Sequence, residues 1–329
     1  WGPNFVGVGL QLSDDFNGRS DYQLSAEATF TGLSEHGAEA RVRADLGRVA
    51  AMSGEWYQPW GDRGQYYWKP EIRFDARNQS FSGDTGNLVA RLRRALAGAR
   101  IGMNIGRSWR IEGGLEYSHN RAQIQTGQLP IPGVTGFTSD ASSFVLALDH
   151  DSLDDLGFPT RGGRGAAELT VTRPGLGSEA HGEVLRADAY RAFSFDRHRL
   201  LVGAEAQTSW GDPEAFSALA TLGGFTRLSG YGDRDLSGEH SALARAIYYR
   251  RFGDMSRLFA LPAYIGASVE AGNVWDSREA VSVESLIYAG SVFVGIDSPL
   301  GPIFFGYGQA EGGNDSFYLS FGSLFGERR

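Results

Sequence analysis

The chain has 329 residues, 46 of them Gly, no Cys, and a formal net charge of −8, with 30 of its 31 basic residues Arg and the other Lys69. Without Cys it has no disulfide framework, zinc–thiolate site or thiol nucleophile, and the mild acidic balance without basic blocks argues against nucleic-acid binding. An aromatic content of 12% with 41% hydrophobic residues argues against disorder. The Gly share, about 14% against roughly 7% in an average protein, follows no collagen-like period.

Helical patterning is nearly absent, whereas alternation with period 2 runs from end to end. Sixteen strands are predicted, at about 5–15, 22–31, 38–47, 51–59, 66–77, 87–105, 108–122, 138–150, 162–173, 182–194, 197–210, 240–251, 258–274, 284–297, 302–310 and 315–325. In the second, Tyr22, Leu24, Ala26, Ala28 and Phe30 alternate with Gln23, Ser25, Glu27 and Thr29. In the third, Ala40, Val42, Ala44 and Leu46 alternate with Glu39, Arg41, Arg43 and Asp45. Successive strand side chains point to opposite faces, so each strand has an apolar face and a polar face bearing both signs of charge. Soluble sandwiches also alternate. These strands are long, however, and a strand tilted across a bilayer needs about 9–11 residues, apolar outward and polar inward. An even strand number and alternating short and long connections fit a closed barrel, which leaves no unpaired edge in lipid. The parity of the sixth strand flips near Arg93-Arg94, where a bulge, or a strand end above the membrane, is expected.

The aromatics Trp56, Tyr57, Trp60, Tyr66, Tyr67 and Trp68 flank the 60–65 loop and read as an interfacial belt. The six His are scattered without metal-ligand spacing, and the Asp-rich stretch 149–155 reads as a solvated turn. No catalytic or metal site and no cofactor is expected.

The connection 211–239 is too long for an ordinary loop. It carries Gly223-Gly224-Phe225-Thr226-Arg227-Leu228-Ser229-Gly230-Tyr231, which reads as a compact hairpin folded into the lumen with Arg227 at its tip. An arginine there needs carboxylate partners, and the next long strands offer two that face inward by parity, Glu270 and Asp297.

With these motifs in view the sequence resembles the barrel superfamily of BamA, TamA and the two-partner secretion transporters. The resemblance rests on Arg227-Leu228-Ser229-Gly230-Tyr231, on Ala271-Gly272-Asn273-Val274-Trp275, on Ser298-Pro299-Leu300-Gly301-Pro302, and on Phe158-Pro159-Thr160-Arg161-Gly162 opening the ninth strand. The opening Trp1-Gly2-Pro3-Asn4, followed by Asp14-Asp15-Phe16, and the Arg-Leu-Ser-Gly-Tyr spelling look most like the translocator of patatin-like type V secreted proteins, the PlpD type (type Vd). The superfamily usually has Asp at the position of Glu270, and Gly directly after the loop arginine.

The resemblance implies an all-β, sixteen-stranded antiparallel transmembrane barrel over 1–329, with an inward-folded loop between strands 11 and 12. It implies a translocator and anchor in the outer membrane of a Gram-negative bacterium, not itself an enzyme, with the passenger lipase and a polypeptide-transport-associated (POTRA) domain outside this chain. Expected partners are membrane lipids and lipopolysaccharide, the chain's own N-terminal passenger and the barrel-assembly machinery, with a homodimer left open. Arg227, Gly230 and Tyr231 are the expected loop residues, Glu270 and Asp297 their wall partners. Pro159, Arg161 and Gly162 form the strand-9 motif, and Phe321 and Phe325 the C-terminal assembly signal. A porin-like diffusion channel, a barrel-assembly insertase and a barrel lipase are the alternatives.

Overall fold

The computed structural model describes residues 4–14, 20–83, 86–126, 135–213, 218–252, 261–299 and 301–322. The described strands are β1 (Phe5–Asp14), β2 (Ser20–Phe30), β3 (Glu39–Gly47), β4 (Val49–Trp60), β5 (Tyr66–Gly83), β6 (Gly86–Ile105), β7 (Trp109–Thr126), β8 (Gly136–Asp151), β9 (Gly162–Thr172), β10 (His181–Phe195), β11 (His198–Asp212), β12 (Ala220–Leu222), β13 (Leu236–Gly238), β14 (His240–Phe252), β15 (Ala263–Trp275), β16 (Ile287–Ser298), β17 (Gly301–Ala310) and β18 (Asp315–Phe321). Sixteen of them close into one antiparallel barrel, each paired with its neighbours in sequence and β18 closing on β1. The remaining two, β12 and β13, pair with each other inside the long connection between β11 and β14.

The sixteen-stranded antiparallel barrel is therefore the observed fold. The alternation that predicted it sets its two faces. Val6, Ile101, Val269 and Val292 point outward and are exposed, with many other large apolar side chains. In water such a surface would be an aggregation liability; facing lipid, it is the outward apolar band of a membrane barrel. The inner face carries ladders of ion pairs. Arg41 bridges Glu27 and Glu55 at 3.3 and 3.4 Å, and Arg100 reaches Glu71, Glu112, Glu116 and Glu168. The single lysine belongs to this ladder: Lys69 Nζ donates to both oxygens of Glu112 at 3.0 Å, and the Tyr67 hydroxyl donates to the same carboxylate at 2.7 Å.

Three expectations need correction. The sixth predicted strand has no bulge at Arg93-Arg94, which pair in register with Arg121 and Asn120; the register shifts between Val89 and Ala90. The parity flip has another cause. Ala90, Leu92 and Ala122 face inward and pack against Leu219 of the long connection, so the inner wall is apolar there. The aromatic belt also divides by parity. Trp60 and Tyr66 stack at 4.9 Å on the exposed face, whereas Tyr67 is fully buried and pairs with Tyr57 at 4.7 Å. The fifth strand, predicted to end at 77, continues to Gly83 in a hairpin with β6.

Inside the barrel lies an apolar cluster that sequence alternation does not suggest. Phe158, from the β8–β9 turn, packs with Tyr249, Tyr264 and Phe304, ring centroids 4.0–5.9 Å apart. Wall glycines admit these rings. A Cβ on Gly295 would meet Phe158 at 2.8 Å, and one on Gly266 would meet Phe293 at 2.3 Å. At these wall positions, glycine leaves room for the inward-facing rings.

Candidate functional site

The β12–β13 ribbon presents residues 223–235 as its tip. The tip is built from unusual backbone. Gly223, Gly224 and Gly230 have φ of 121°, 106° and 109°, and the non-glycine residues Thr226 and Leu228 stand at 60° and 71°. A β-branched residue in the left-handed region is a true outlier, and such strain, about 1–3 kcal/mol per residue, persists only where surroundings over-determine it. Here they do. Within the tip, Gly223 N–H donates to Arg227 O at 2.9 Å, Arg227 N–H to Gly224 O at 2.9 Å, and Tyr231 N–H to Leu228 O at 3.2 Å. Thr226 N–H donates to Ser229 Oγ at 2.9 Å.

Four barrel strands supply the remaining partners. From β11, the Glu205 carboxylate accepts from Arg227 Nε at 3.0 and 3.1 Å and from Nη2 at 2.7 Å, a bidentate pair. From β14, Arg245 donates to Thr226 O at 3.0 Å and bridges to Glu205 at 3.3 Å. From β15, Glu270, 3% exposed, accepts from Ser229 N–H at 2.7 Å and Ser229 Oγ at 2.8 Å, and from Ser268 Oγ at 2.5 Å. From β18, the Tyr318 hydroxyl accepts from Gly230 N–H at 2.8 Å and donates to Tyr231 O at 2.7 Å.

Apolar contacts complete the dock. Phe225 stacks on Tyr318 with centroids 5.2 Å apart and meets Phe293 edge-on at 5.7 Å. Leu222, Leu228 and Leu243 form a buried cluster flanked by Tyr231. At Gly230 a Cβ would lie 2.6 Å from Ala310 N and Asn314 O, so the β17–β18 turn leaves room for glycine alone.

The expected residues are thus partly brought together. Arg227, Gly230, Tyr231 and Glu270 share one site, but Arg227 binds Glu205, and Glu270 binds Ser229. Asp297 is not part of it. Glu270 pairs in register with Ala289, and Asp297 lies eight positions further along β16, about 26 Å along the strand; it is exposed at the strand end. Glu205, Arg245, Ser229 and Tyr318 were missed. Glu205 had a usable signal, since alternation through Gly203, Glu205 and Gln207 places it inward on the strand that leads into the loop. Burial alone would favour neutral Arg227, but the Glu205 carboxylate outweighs it and raises the guanidinium above its ordinary range.

The strand-9 motif runs from the β8–β9 turn, with Pro159 and Arg161, into Gly162, the first residue of β9. Asp154 accepts from Thr160 N–H at 2.9 Å, from Arg161 N–H at 3.1 Å and from the Thr160 hydroxyl. Asp155 accepts from Gly157 N–H at 2.8 Å and Phe158 N–H at 2.6 Å. These carboxylates build the turn that presents Phe158, and Tyr249 O–H donates to Pro159 O. Gly162 has φ 91°, and a Cβ there would sit 2.0 Å from Ser152 O. Arg161 projects into solvent, 4.0 Å from Asp154. Phe321 pairs with Leu10 across the closing seam; Phe325 lies outside the described residues.

Burial works against ionisation of Asp154, but the hydrogen bonds from Thr160 and Arg161 outweigh it and hold the carboxyl below its ordinary range. Its stabilisation of the turn is therefore complete above the ordinary aspartate value, near pH 4, and is lost as pH falls through the lower folded value. Proteolytic nicking at 156–162 should rise on acidification below about pH 4. Asp154→Asn should be nicked more readily at neutral pH, with a flatter pH profile. At Gly308 an added Cβ would lie 2.4 Å from Ser229 Cβ. Gly308→Ala should therefore lift the tip and speed hydrogen exchange of the Ser229 and Gly230 amides by about tenfold or more, with the barrel still folded.

Residues 4–325 match the model of the Omp85 superfamily domain. The fold is similar to BamA from Haemophilus ducreyi lacking POTRA domains 1–3, at TM-score 0.77 and 13% identity over 98% of this chain and 70% of that one. It is also similar to CdiB from Acinetobacter baumannii, at TM-score 0.64 and 12% identity over 97% of this chain and 59% of that one. CdiB from Escherichia coli gives 0.65 and 12%, over 96% of this chain and 62% of that one. No curated protein matches in sequence. At these identities the solved structures speak for the fold alone.

Proposed function

Because the chain belongs to the Omp85 superfamily, we propose that it is the outer-membrane translocator and anchor of a secreted passenger carried on the same polypeptide. The passenger proposed is a patatin-like lipase of type Vd, preceded by a POTRA domain; the barrel itself is not an enzyme. The observation that carries the reading is the docked tip. Arg227, Ser229 and Gly230 tie β11, β15 and β18 together beside the seam where β18 closes on β1. A tip fixed on the closing strand suits a barrel whose wall takes part in delivery. The aromatic cluster of Phe158, Phe225, Phe293 and Phe304 occupies lumen that a diffusion channel would keep clear.

The test is protease shaving of cells that express the natural full-length polypeptide in a Gram-negative host. The passenger should be cleaved at the surface, and removing residues 4–325 should leave it protected in the periplasm. Surface exposure without the barrel would contradict the reading. Loss of many unrelated outer-membrane proteins on removing the barrel would favour an insertase instead.

A further inference from the structure

On the outer face of β6 and β7, Arg91, Arg93 and Arg121 are all exposed. Arg93 and Arg121 stand directly opposite each other in the ladder, and Arg91 is two residues along the same face, opposite Gln123. Like charges in such register are destabilising. No carboxylate pairs with any of the three among the described residues. Asp140, on the adjoining strand β8 opposite His119, accepts from the Tyr117 hydroxyl at 2.9 Å and is bonded to His119 Nδ1 at 2.7 Å.

Their depth is informative. Below Arg93, the outward positions of β6 are Ala95, Ala97, Ala99, Ile101, Met103 and Ile105. Below Arg121 and His119, those of β7 are Tyr117, Leu115, Gly113, Ile111 and Trp109. From Ala95 to Ile105, at about 3.3 Å per residue and a tilt near 40°, the strand rises roughly 25 Å, the height of the apolar band of such barrels. The arginines therefore begin where the hydrocarbon ends, at headgroup level. They lie at the same end of the barrel as the long β11–β14 connection, the end that long outer loops mark as external.

We propose that Arg91, Arg93 and Arg121 form a binding site for the phosphate groups of a lipid in the outer leaflet. Guanidinium forks match phosphate oxygens bidentately, and a phosphorylated headgroup neutralises the three charges while its acyl chains lie on the apolar strip below. This inference rests on the outer-membrane reading.

The test refolds the whole chain in zwitterionic vesicles doped with diphosphoryl lipid A and measures lipid retained after extraction, by native mass spectrometry. Wild type should retain the phosphorylated lipid. Arg93→Gln/Arg121→Gln should retain it about thirtyfold less, at roughly fivefold per arginine, with heat-modifiable migration unchanged. Arg121→Gln alone should fall between them, and Arg250→Gln, an exposed arginine at the other end of the barrel, should match wild type. Removing the phosphates from the lipid should bring wild type down to the double variant. Equal retention by wild type and the double variant, equal retention of lipid with and without phosphates, or full displacement by millimolar inorganic phosphate would overturn the inference. A chain that fails to fold into vesicles at all would count against the membrane-barrel reading instead.

Discussion

Arg227→Ala should destabilise the folded barrel by about 3 kcal/mol, the lower end of the range for breaking one side of a buried pair. The substitution removes three hydrogen bonds to Glu205, whose bridge to Arg245 at 3.3 Å remains. The arginine side chain is 21% exposed and its carboxylate 16%, so water offsets part of the loss. Thr226 and Leu228 hold their left-handed backbone only because the tip is pinned, and releasing Arg227 frees that strain to undo the tip. The heat-modifiable transition should move to lower temperature, and residues 223–232 should become protease-sensitive. Asp297→Asn should leave both unchanged, because that carboxylate lies far from the tip. An Asp297 variant as damaging as Arg227→Ala would show that the pairing is wrong.

Glu270→Ala should cost a similar amount, about 2–4 kcal/mol, by leaving a buried N–H unsatisfied and emptying space beside Ser268. Glu270 accepts from Ser229 N–H, Ser229 Oγ and Ser268 Oγ, and the Ser268 and Ser291 hydroxyls share a hydrogen bond at 2.6 Å. Glu270→Gln should lose much less, about 1 kcal/mol. Its amide oxygen can still take the Ser229 N–H, and the serine hydroxyls can turn to accept from its NH₂. Urea midpoints of the two variants compare these outcomes, and equal losses would mean that charge rather than hydrogen bonding holds the tip.

The barrel was legible because membrane strands alternate strictly, so parity alone separated Tyr22, Leu24 and Ala26 from Gln23, Ser25 and Glu27. Parity also placed Glu270 inward. It could not say which inward carboxylate an inserted tip would meet, because that depends on where the connection crosses the lumen. The tip stays beside β11, from which its ribbon leaves, and so meets Glu205. Beyond Arg227, the N–H groups of Ser229 and Gly230 reach Glu270 and Tyr318. The parity flip of β6 was visible as a signal but misassigned, since Leu219, the segment that makes Leu92 an interior apolar residue, is distant in sequence. Phe158 carried no periodic signal. A turn residue enters the core only through the carboxylates of Asp154 and Asp155, which fold the turn back.

The docked tip is proposed to serve passenger delivery by this barrel. Surface cleavage of the passenger in cells that carry Arg227→Ala, Glu270→Ala and Asp297→Asn in the natural full-length polypeptide tests it most directly, scored per folded barrel. Asp297→Asn should deliver its passenger as the wild type does, while the other two should leave it protected in the periplasm. Wild-type surface cleavage in folded Arg227→Ala and Glu270→Ala barrels would contradict it.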